Sequence, residues 1–427
     1  MSHIKIRGGH SLHGEIEVQG AKNAALPIIA ASVLNNGTVH LRRCPQIMDV
    51  HHMLRILQQS GARIMWDAGD VWIKTDQMNT IAVSSLDAGK MRSSIILLGA
   101  LLGRGQEVTM PYPGGCTIGA RPIDWHIDAL RKMNVQINLK ENEIECKTTG
   151  LKGNRIELPY PSVGVTENIL LAAVLADGVT EIIHAAMEPE IADLCRFLKN
   201  SGACIEGEGT ERIRIKGVKK LHDTEYTIMA DRIAAGTYMA AAAAVGGEIV
   251  LKGIHIENVR AVADVLAESG CGLIIYKESI KIIAPSMLLA VKEIATEPYP
   301  GFPTDMQSQM LACLCQAQGD STVTEHIFEN RYKVVPELIR MGGNITVDQR
   351  RAVIHGPCRM HGETVKAKEL RGGAALVIAG LAAEGETVIH GSEHIERGYQ
   401  DICRDLGQVG AEICCITDHT ERRWEDN

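Results

Sequence analysis

Ala24-Ala25-Leu26-Pro27-Ile28-Ile29-Ala30-Ala31-Ser32-Val33-Leu34-Asn35-Asn36-Gly37-Thr38-Val39-His40-Leu41 is the stretch whose order decides the fold. Its first part is small and apolar on every face and predicts a buried helix, Asn36-Gly37 stops it, and Thr38 to Leu41 reads as a strand. A second helical stretch follows and ends in Ser60-Gly61-Ala62-Arg63-Ile64. The same order returns from Ser93 through Gly105 to Val135-Gln136-Ile137, and from Thr166 through Gly178 to Gly202-Ala203-Cys204-Ile205. Three more copies run from Ala234 through Gly247 to Gly270, from Ser308 through Gly319 to Gly342, and from Gly372 through Gly385 to Gly410-Ala411-Glu412-Ile413. Each glycine after a helical run reads as a left-handed cap that turns the chain into a strand. Any α/β protein alternates helix and strand, but six copies with the glycine in register mark an internal repeat. Its spacing of roughly seventy residues exceeds that of common solenoids and predicts a closed globular α/β assembly.

With 427 residues, 45% of them apolar and 22% charged, the chain exceeds what one core fills, so two domains are expected. Met1-Ser2-His3-Ile4-Lys5-Ile6-Arg7 lacks the apolar core of a signal peptide, and the apolar runs Ile95–Leu102 and Met239–Val245 are too short to span a bilayer. A cytoplasmic protein without membrane insertion is the expectation. Twelve cysteines are scattered with no C-x-x-C pair, several in apolar surroundings such as Cys195 and Cys313, and most read as reduced and buried. The formal charge of −8 argues against nucleic acid as a partner. An anion would need a local cluster of bases.

Such a cluster is written at the helix starts. Lys22-Asn23, Arg92, Asp231-Arg232 and Arg371 stand before the first helix of four copies, where the helix dipole disfavours a base by about 0.3–1 kcal/mol. Helix-terminal N–H groups beside a cation make a phosphate or carboxylate site, so an anionic ligand is expected there. The third copy has Ser162-Val163-Gly164 instead, and the fifth Phe302-Pro303-Thr304-Asp305. Asp305 is open to two readings, a helix N-cap or a general base near bound anions.

Pro113-Gly114-Gly115-Cys116-Thr117-Ile118-Gly119-Ala120-Arg121-Pro122 is the least regular stretch and reads as a loop. Cys116 lacks apolar flanks, and Arg121 nearby favours its thiolate, which makes it a candidate for reactive chemistry. The loop has neither Walker nor G-x-G-x-x-G spacing. The sixteen histidines include no H-E-x-x-H, and His51-His52 are adjacent, so no metal site is expected.

Gly20-Ala21-Lys22-Asn23-Ala24-Ala25-Leu26-Pro27, Pro113 to Pro122, Phe302-Pro303-Thr304-Asp305-Met306-Gln307, Phe328-Glu329-Asn330-Arg331 and Arg397-Gly398-Tyr399 together resemble signature segments of the UDP-N-acetylglucosamine 1-carboxyvinyltransferase family, in the right order over nearly the whole chain. The resemblance implies a two-domain inside-out α/β barrel of six βαβαββ-like units, three per domain. Residues 22–229, with the Cys116 loop, would form one domain, and 1–21 plus 230–427 the other, with the active site in the cleft between them. It implies transfer of the enolpyruvyl group of phosphoenolpyruvate to the 3′-hydroxyl of UDP-N-acetylglucosamine, releasing phosphate by addition and elimination, without metal, organic cofactor or obligate protein partner. That reaction would be the first committed step of peptidoglycan synthesis, serving cell wall biogenesis, cell shape and division, and a fosfomycin target.

Carried over by the resemblance, Lys22, Asn23, Arg121 and Arg397 match positions that hold phosphoenolpyruvate, with Arg92, Arg331 and Arg371 completing a basic cleft. Arg121, Pro122, Ile123, Asp124 and Trp125, then Ser162, Val163, Gly164, Asp305 and Ile327, match positions that hold the UDP-sugar. Asp305 would draw the proton from the sugar hydroxyl and Cys116 would supply one to C3 of the enol; Lys22 and Arg397 join them as catalytic residues. The three glycines of the Cys116 loop predict a lid over bound UDP-sugar. Met48, Tyr160, Ala234 and Glu369 depart from the family pattern. The competing readings are the sister enzyme acting on shikimate 3-phosphate, a non-catalytic UDP-sugar-binding paralogue and a general phosphate-binding scaffold.

Overall fold

Why six sheets form follows from the repeat. In the computed structural model, which describes residues 2–78, 83, 85–105, 107–114, 118, 119 and 122–416, the strands build five four-stranded sheets and one three-stranded sheet. In each four-stranded sheet one strand pair is parallel and the rest is antiparallel. Strand Arg155–Glu157, helix Val163–Ala173, strand Val179–Ile183, helix Pro189–Asn200 and the hairpin Cys204–Glu206 with Arg212–Lys216 show the unit complete and in sequence. Every sheet is open and separate, and none closes on itself among the described residues. The expected barrel is corrected to that extent. The reason is local: each four-stranded unit keeps two edge strands of its own, so its ladder stops where the repeat stops.

Two compact units divide the chain. One comprises Gln19–Asp231 with Pro298–Pro300, the other Met1–Val18, Arg232–Glu297 and Gly301–Asn427, so residues 19–21, 230, 231 and 298–300 group differently from the boundaries expected from sequence. Each holds three of the sheets. Long-range pairing completes them. Strand Thr224–Thr227 runs parallel to Thr38–Arg42 in the first unit, and in the second His3–Arg7 lies between Glu386–His390 and Glu412–Ile416.

Burial separates two kinds of helix. In the second unit, Arg232–Val245, Gln307–Leu314 and Leu370–Ala382 pack on one another and are buried nearly all round, which their Ala, Gly, Leu and Ile content permits. Lys22–Ala31, Leu97–Arg104 and Val163–Ala173 are the counterparts in the first unit. The second helix of each repeat is one-sided: Ile256–Glu268, for example, buries Ile256, Val259, Val262, Ala263 and Leu266 at helical spacing. Burying each such Leu, Ile or Val stabilises the unit by about 1.5–3 kcal/mol.

After those second helices the turn is left-handed in all six copies, at Gly61, Asn134, Gly202, Gly270, Gly342 and Gly410. Asn134 shows that this conformation is what the repeat needs there, since asparagine tolerates it best after glycine. After the first helices Gly178, Gly246, Gly247, Gly319 and Gly385 are left-handed among the described residues. Gly105 is extended (φ −133°), and Gly37 is needed for space, because a Cβ there would lie 1.9 Å from Asp223 Oδ1. That oxygen accepts the Thr38 N–H at 2.9 Å.

Candidate active site

The helix starts carry carboxylates of the chain's own, which the sequence did not predict. Glu369 caps Leu370–Ala382 by accepting from the Arg371 N–H at 2.8 Å and from the Gly372 N–H. Gly372 permits this, because a Cβ on it would come within 2.6 Å of Glu369 Oε1. At Lys22–Ala31, Asp231 Oδ2 accepts the Lys22 N–H at 3.1 Å from 209 residues away. At these two of the four starts the negative charge expected from a ligand is therefore supplied within the protein.

The side chains of the expected bases then face other partners. Asp305 lies in the 3-10 turn Thr304–Met306, whose cap residue is Pro303, so it is not an N-cap. Its Oδ1 accepts from Arg331 Nη2, and its Oδ2 from Arg371 Nη2 at 2.8 Å. Both arginine side chains are almost fully buried (2% and 4% exposed), whereas the Asp305 side chain keeps 27% exposure. Arg331 Nε also donates to Thr304 Oγ1 at 3.1 Å, and its Nη1 lies 3.9 Å from Glu369. The guanidinium of Arg331 sits 5.3 Å from the Phe328 ring centre and that of Arg371 5.9 Å from Tyr399.

A buried carboxylate holds this group in place. Glu325 accepts from the Thr304 hydroxyl at 2.9 Å and from the Ile327 and Phe328 N–H groups at 2.8 and 3.0 Å. Ile327, a predicted substrate contact, is thus fixed through its backbone. Gln309 Nε2 donates to the Asp305 carbonyl at 2.8 Å and to Thr237 Oγ1 at 3.2 Å, and Thr237 bonds the Tyr399 hydroxyl at 2.7 Å. Arg397 ends the 3-10 helix Ser392–Arg397, half-buried and two residues before Tyr399.

In the first unit, Lys22 Nζ pairs with Asp49 Oδ2 at 2.6 Å, with little of either side chain exposed. Asp49 lies in the first turn of Met48–Gln59, where the dipole favours a carboxylate. Asn23 is half-buried beside Lys22. Arg92 begins the 3-10 helix Arg92–Ile96 and donates to the exposed Pro122 carbonyl at 3.1 Å. Ile123 packs against the core, and Asp124 opens the helix Asp124–Lys132.

Trp125 is 41% exposed and stacks with Tyr160, ring centres 6.2 Å apart. The Tyr160 carbonyl takes the Ser162 N–H at 2.7 Å, which ties this aromatic face to the start of Val163–Ala173. Behind it, Asn168 accepts the Gly99 N–H at 2.6 Å and donates to Ile95 O and to His126 Nδ1. That donation places the proton of a neutral His126 on Nε2. A Cβ on Gly164 would stand 3.4 Å from His126 Cε1.

Cys116 and Arg121, with the lid expected of their loop, lie outside the described residues. Among the described residues no group of His, Cys, Asp and Glu is arranged to hold a metal ion, and no helix is long and apolar enough to cross a membrane. Sequence reasoning missed Asp49, Thr304 and Glu325 as site-forming residues. Glu325 carries a signal in hindsight, a charged residue directly after strand Gly319–Thr324, which buries Ser321, Thr322 and Val323.

The chain as a whole has close relatives. The family model for EPSP synthase (3-phosphoshikimate 1-carboxyvinyltransferase) matches residues 6–406. A UDP-N-acetylglucosamine 1-carboxyvinyltransferase 2 of Caldanaerobacter subterraneus is 49% identical over 97% of this chain and 100% of its own length. A UDP-N-acetylglucosamine 1-carboxyvinyltransferase 1 of Symbiobacterium thermophilum is 46% identical over 96% of this chain and 94% of its own. Among solved structures, the enolpyruvyl transferase NikO of Streptomyces tendae superposes with a TM-score of 0.88 at 23% identity, over 98% of this chain and 99% of that one, which shows a common fold. Matched by that model and by full-length relatives of nearly half its identity, the chain belongs to the UDP-N-acetylglucosamine 1-carboxyvinyltransferases within the EPSP synthase family.

Proposed function

We propose that this protein transfers the enolpyruvyl group of phosphoenolpyruvate to the 3′-hydroxyl of UDP-N-acetylglucosamine, with release of phosphate. The observation that carries the reading is Asp305 held between the buried guanidiniums of Arg331 and Arg371. A carboxylate whose two oxygens both accept guanidinium protons is a poor base until one of those bonds is exchanged. The carboxylate and phosphate of phosphoenolpyruvate are competitors for the same guanidiniums. Their arrival leaves Asp305 facing anions with an oxygen released, and the sugar hydroxyl can then give it a proton.

Cys116 would protonate C3 of the enol, the sugar oxygen would add to C2, and loss of a proton from the resulting methyl group would expel phosphate. Lys22, Asn23, Arg92, Arg121 and Arg397 would hold the phosphoenolpyruvate charges. Pro122 to Trp125, Ser162 to Gly164 and Ile327 would hold the UDP-sugar, with the exposed Trp125–Tyr160 pair as an apolar face for it. The acid and the base each supply about 10²–10⁴-fold, and fixing the anions supplies the rest. The reaction would be the first committed step of peptidoglycan synthesis, in the cytoplasm, and sensitive to fosfomycin through Cys116.

Phosphate release is the test, followed with phosphoenolpyruvate, with UDP-N-acetylglucosamine, and with both. Release should need both substrates, fall in Cys116→Ser and Asp305→Asn, and stop after fosfomycin treatment. Absence of release from the unaltered protein, with UDP-sugar still bound, would overturn the reading in favour of a binding paralogue.

A further inference from the structure

Cys315 and Cys358 form a thiol pair far apart in sequence and adjacent in the fold. Cys315 closes the helix Gln307–Leu314 and is fully buried, while Cys358 follows strand Arg351–Gly356 and is partly exposed. The Cys358 N–H donates to the Cys315 carbonyl at 2.7 Å, so the reach of one backbone hydrogen bond confines the two α-carbons to within about 6.6 Å. A disulfide spans about 4.4–6.8 Å between α-carbons. The Cys315 thiol donates to the Leu311 carbonyl at 3.3 Å and the Cys358 thiol to the His355 carbonyl at 3.5 Å, bonds within each thiol's own segment. The Asn344 N–H points at Cys358 Sγ from 3.2 Å, a donor that favours thiolate. Over Cys315 lies Gly343, whose missing Cβ would be 3.6 Å from Sγ.

We propose that Cys315 and Cys358 are a redox modification site: hydrogen peroxide oxidises Cys358, and Cys315 resolves it to an intramolecular disulfide. In the first step the Cys358 thiolate attacks a peroxide oxygen and the O–O bond breaks. Cys358 becomes a sulfenic acid, and the departing oxygen leaves as water after taking a proton. In the second, Cys315 sulfur attacks the sulfenic sulfur, its proton leaves with the hydroxyl as a second water, and the S–S bond forms. Two thiols and one peroxide thus yield one disulfide and two waters. The bridge would tie the end of the helix that follows Asp305 to the segment after Arg351–Gly356.

The experiment exposes the whole protein to hydrogen peroxide, blocks remaining thiols with N-ethylmaleimide, and maps unreduced peptides by mass spectrometry. The expected product is the Cys315 peptide joined to the Cys358 peptide, lighter by two hydrogens and separated by dithiothreitol. In Cys315→Ser, dimedone should capture Cys358 as its sulfenic acid; in Cys358→Ser, Cys315 should stay reduced. The wild-type map decides the matter even if a variant folds poorly. Both thiols blocked by maleimide after peroxide, or Cys358 over-oxidised beside a free Cys315, would overturn the proposal.

Discussion

Glu325→Ala should loosen the Asp305 arginine pair from behind. The carboxylate is fully buried and satisfies the Thr304 hydroxyl and two backbone N–H groups, Ile327 and Phe328. Alanine leaves both N–H groups orphaned, each at about 1–3 kcal/mol, offset in part because a buried charge is removed, for a net loss of about 3 kcal/mol. Glutamine behaves differently. Its carbonyl oxygen still accepts the backbone donors, and its amide can donate to the Thr304 oxygen, so the cost falls to about 1 kcal/mol. Glu325, Asp305 and Glu369 also outnumber Arg331 and Arg371 in this network, so loss of one negative charge is tolerable. Tryptophan fluorescence would report the change poorly, since three of the four tryptophans, Trp66, Trp72 and Trp125, belong to the other unit. Two units also blur a single urea midpoint. Hydrogen exchange on peptides covering residues 325–334 is therefore the assay, with protection expected to fall strongly in the alanine variant and slightly in the glutamine one. Equal protection in Glu325→Ala and the unaltered protein, or equal damage from both variants, would refute the argument.

Asp193 is buried, and that burial raises its pKa against the bonds from Tyr226 and Met229 and the nearby Arg196. A carboxyl that binds its proton more tightly when folded adds stability as the pH falls through its raised folded value, and the gain is complete below the unfolded value of about 3.9. Relative to Asp193→Asn, the unaltered protein should gain stability over that window in hydrogen exchange on peptides covering residues 189–200; a pH-independent difference, after correction for intrinsic exchange, would count against this assignment. The Cys358 thiol is drawn down to about 6, first by the Cys315 thiol and then, with burial opposing, by the Asn344 N–H and His355. Its alkylation by iodoacetamide should level off above about pH 7 instead of climbing towards the ordinary thiol value of about 8.5; continued climbing would show an unperturbed thiol. Trp125→Ala should weaken UDP-sugar binding by about fivefold or more, the loss of one stacked ring, with stability changed by less than about 0.5 kcal/mol. Calorimetric titration checks the first and thermal unfolding the second.

The sequence made the repeat legible because each copy must stop a helix in a small space, and only glycine or asparagine does so without strain at Gly61, Asn134 and their equivalents. It also showed that Lys22, Arg92, Arg232 and Arg371 stand where cations are unusual, since that is a local property. What it could not show is who answers them. Asp231 reaches Lys22 across 209 residues, and Asp305 meets Arg371 across 66, distances over which no spacing rule applies. The same limit hid the pairing of His3–Arg7 with Glu386–His390. Reading helix-start bases as ligand sites leaves out one source of charge: a helix start favours an anion, and the protein can supply one from anywhere in the chain. Glu369 carries the consequence furthest. By capping the helix with its own carboxylate it satisfies the N–H groups of Arg371 and Gly372, while the Arg371 guanidinium reaches Asp305. An anion arriving at this group must then be recognised by guanidinium side chains rather than by those two backbone donors, and it must compete with Asp305 for them. That competition is what would couple arrival of one substrate to activation of the base for the other.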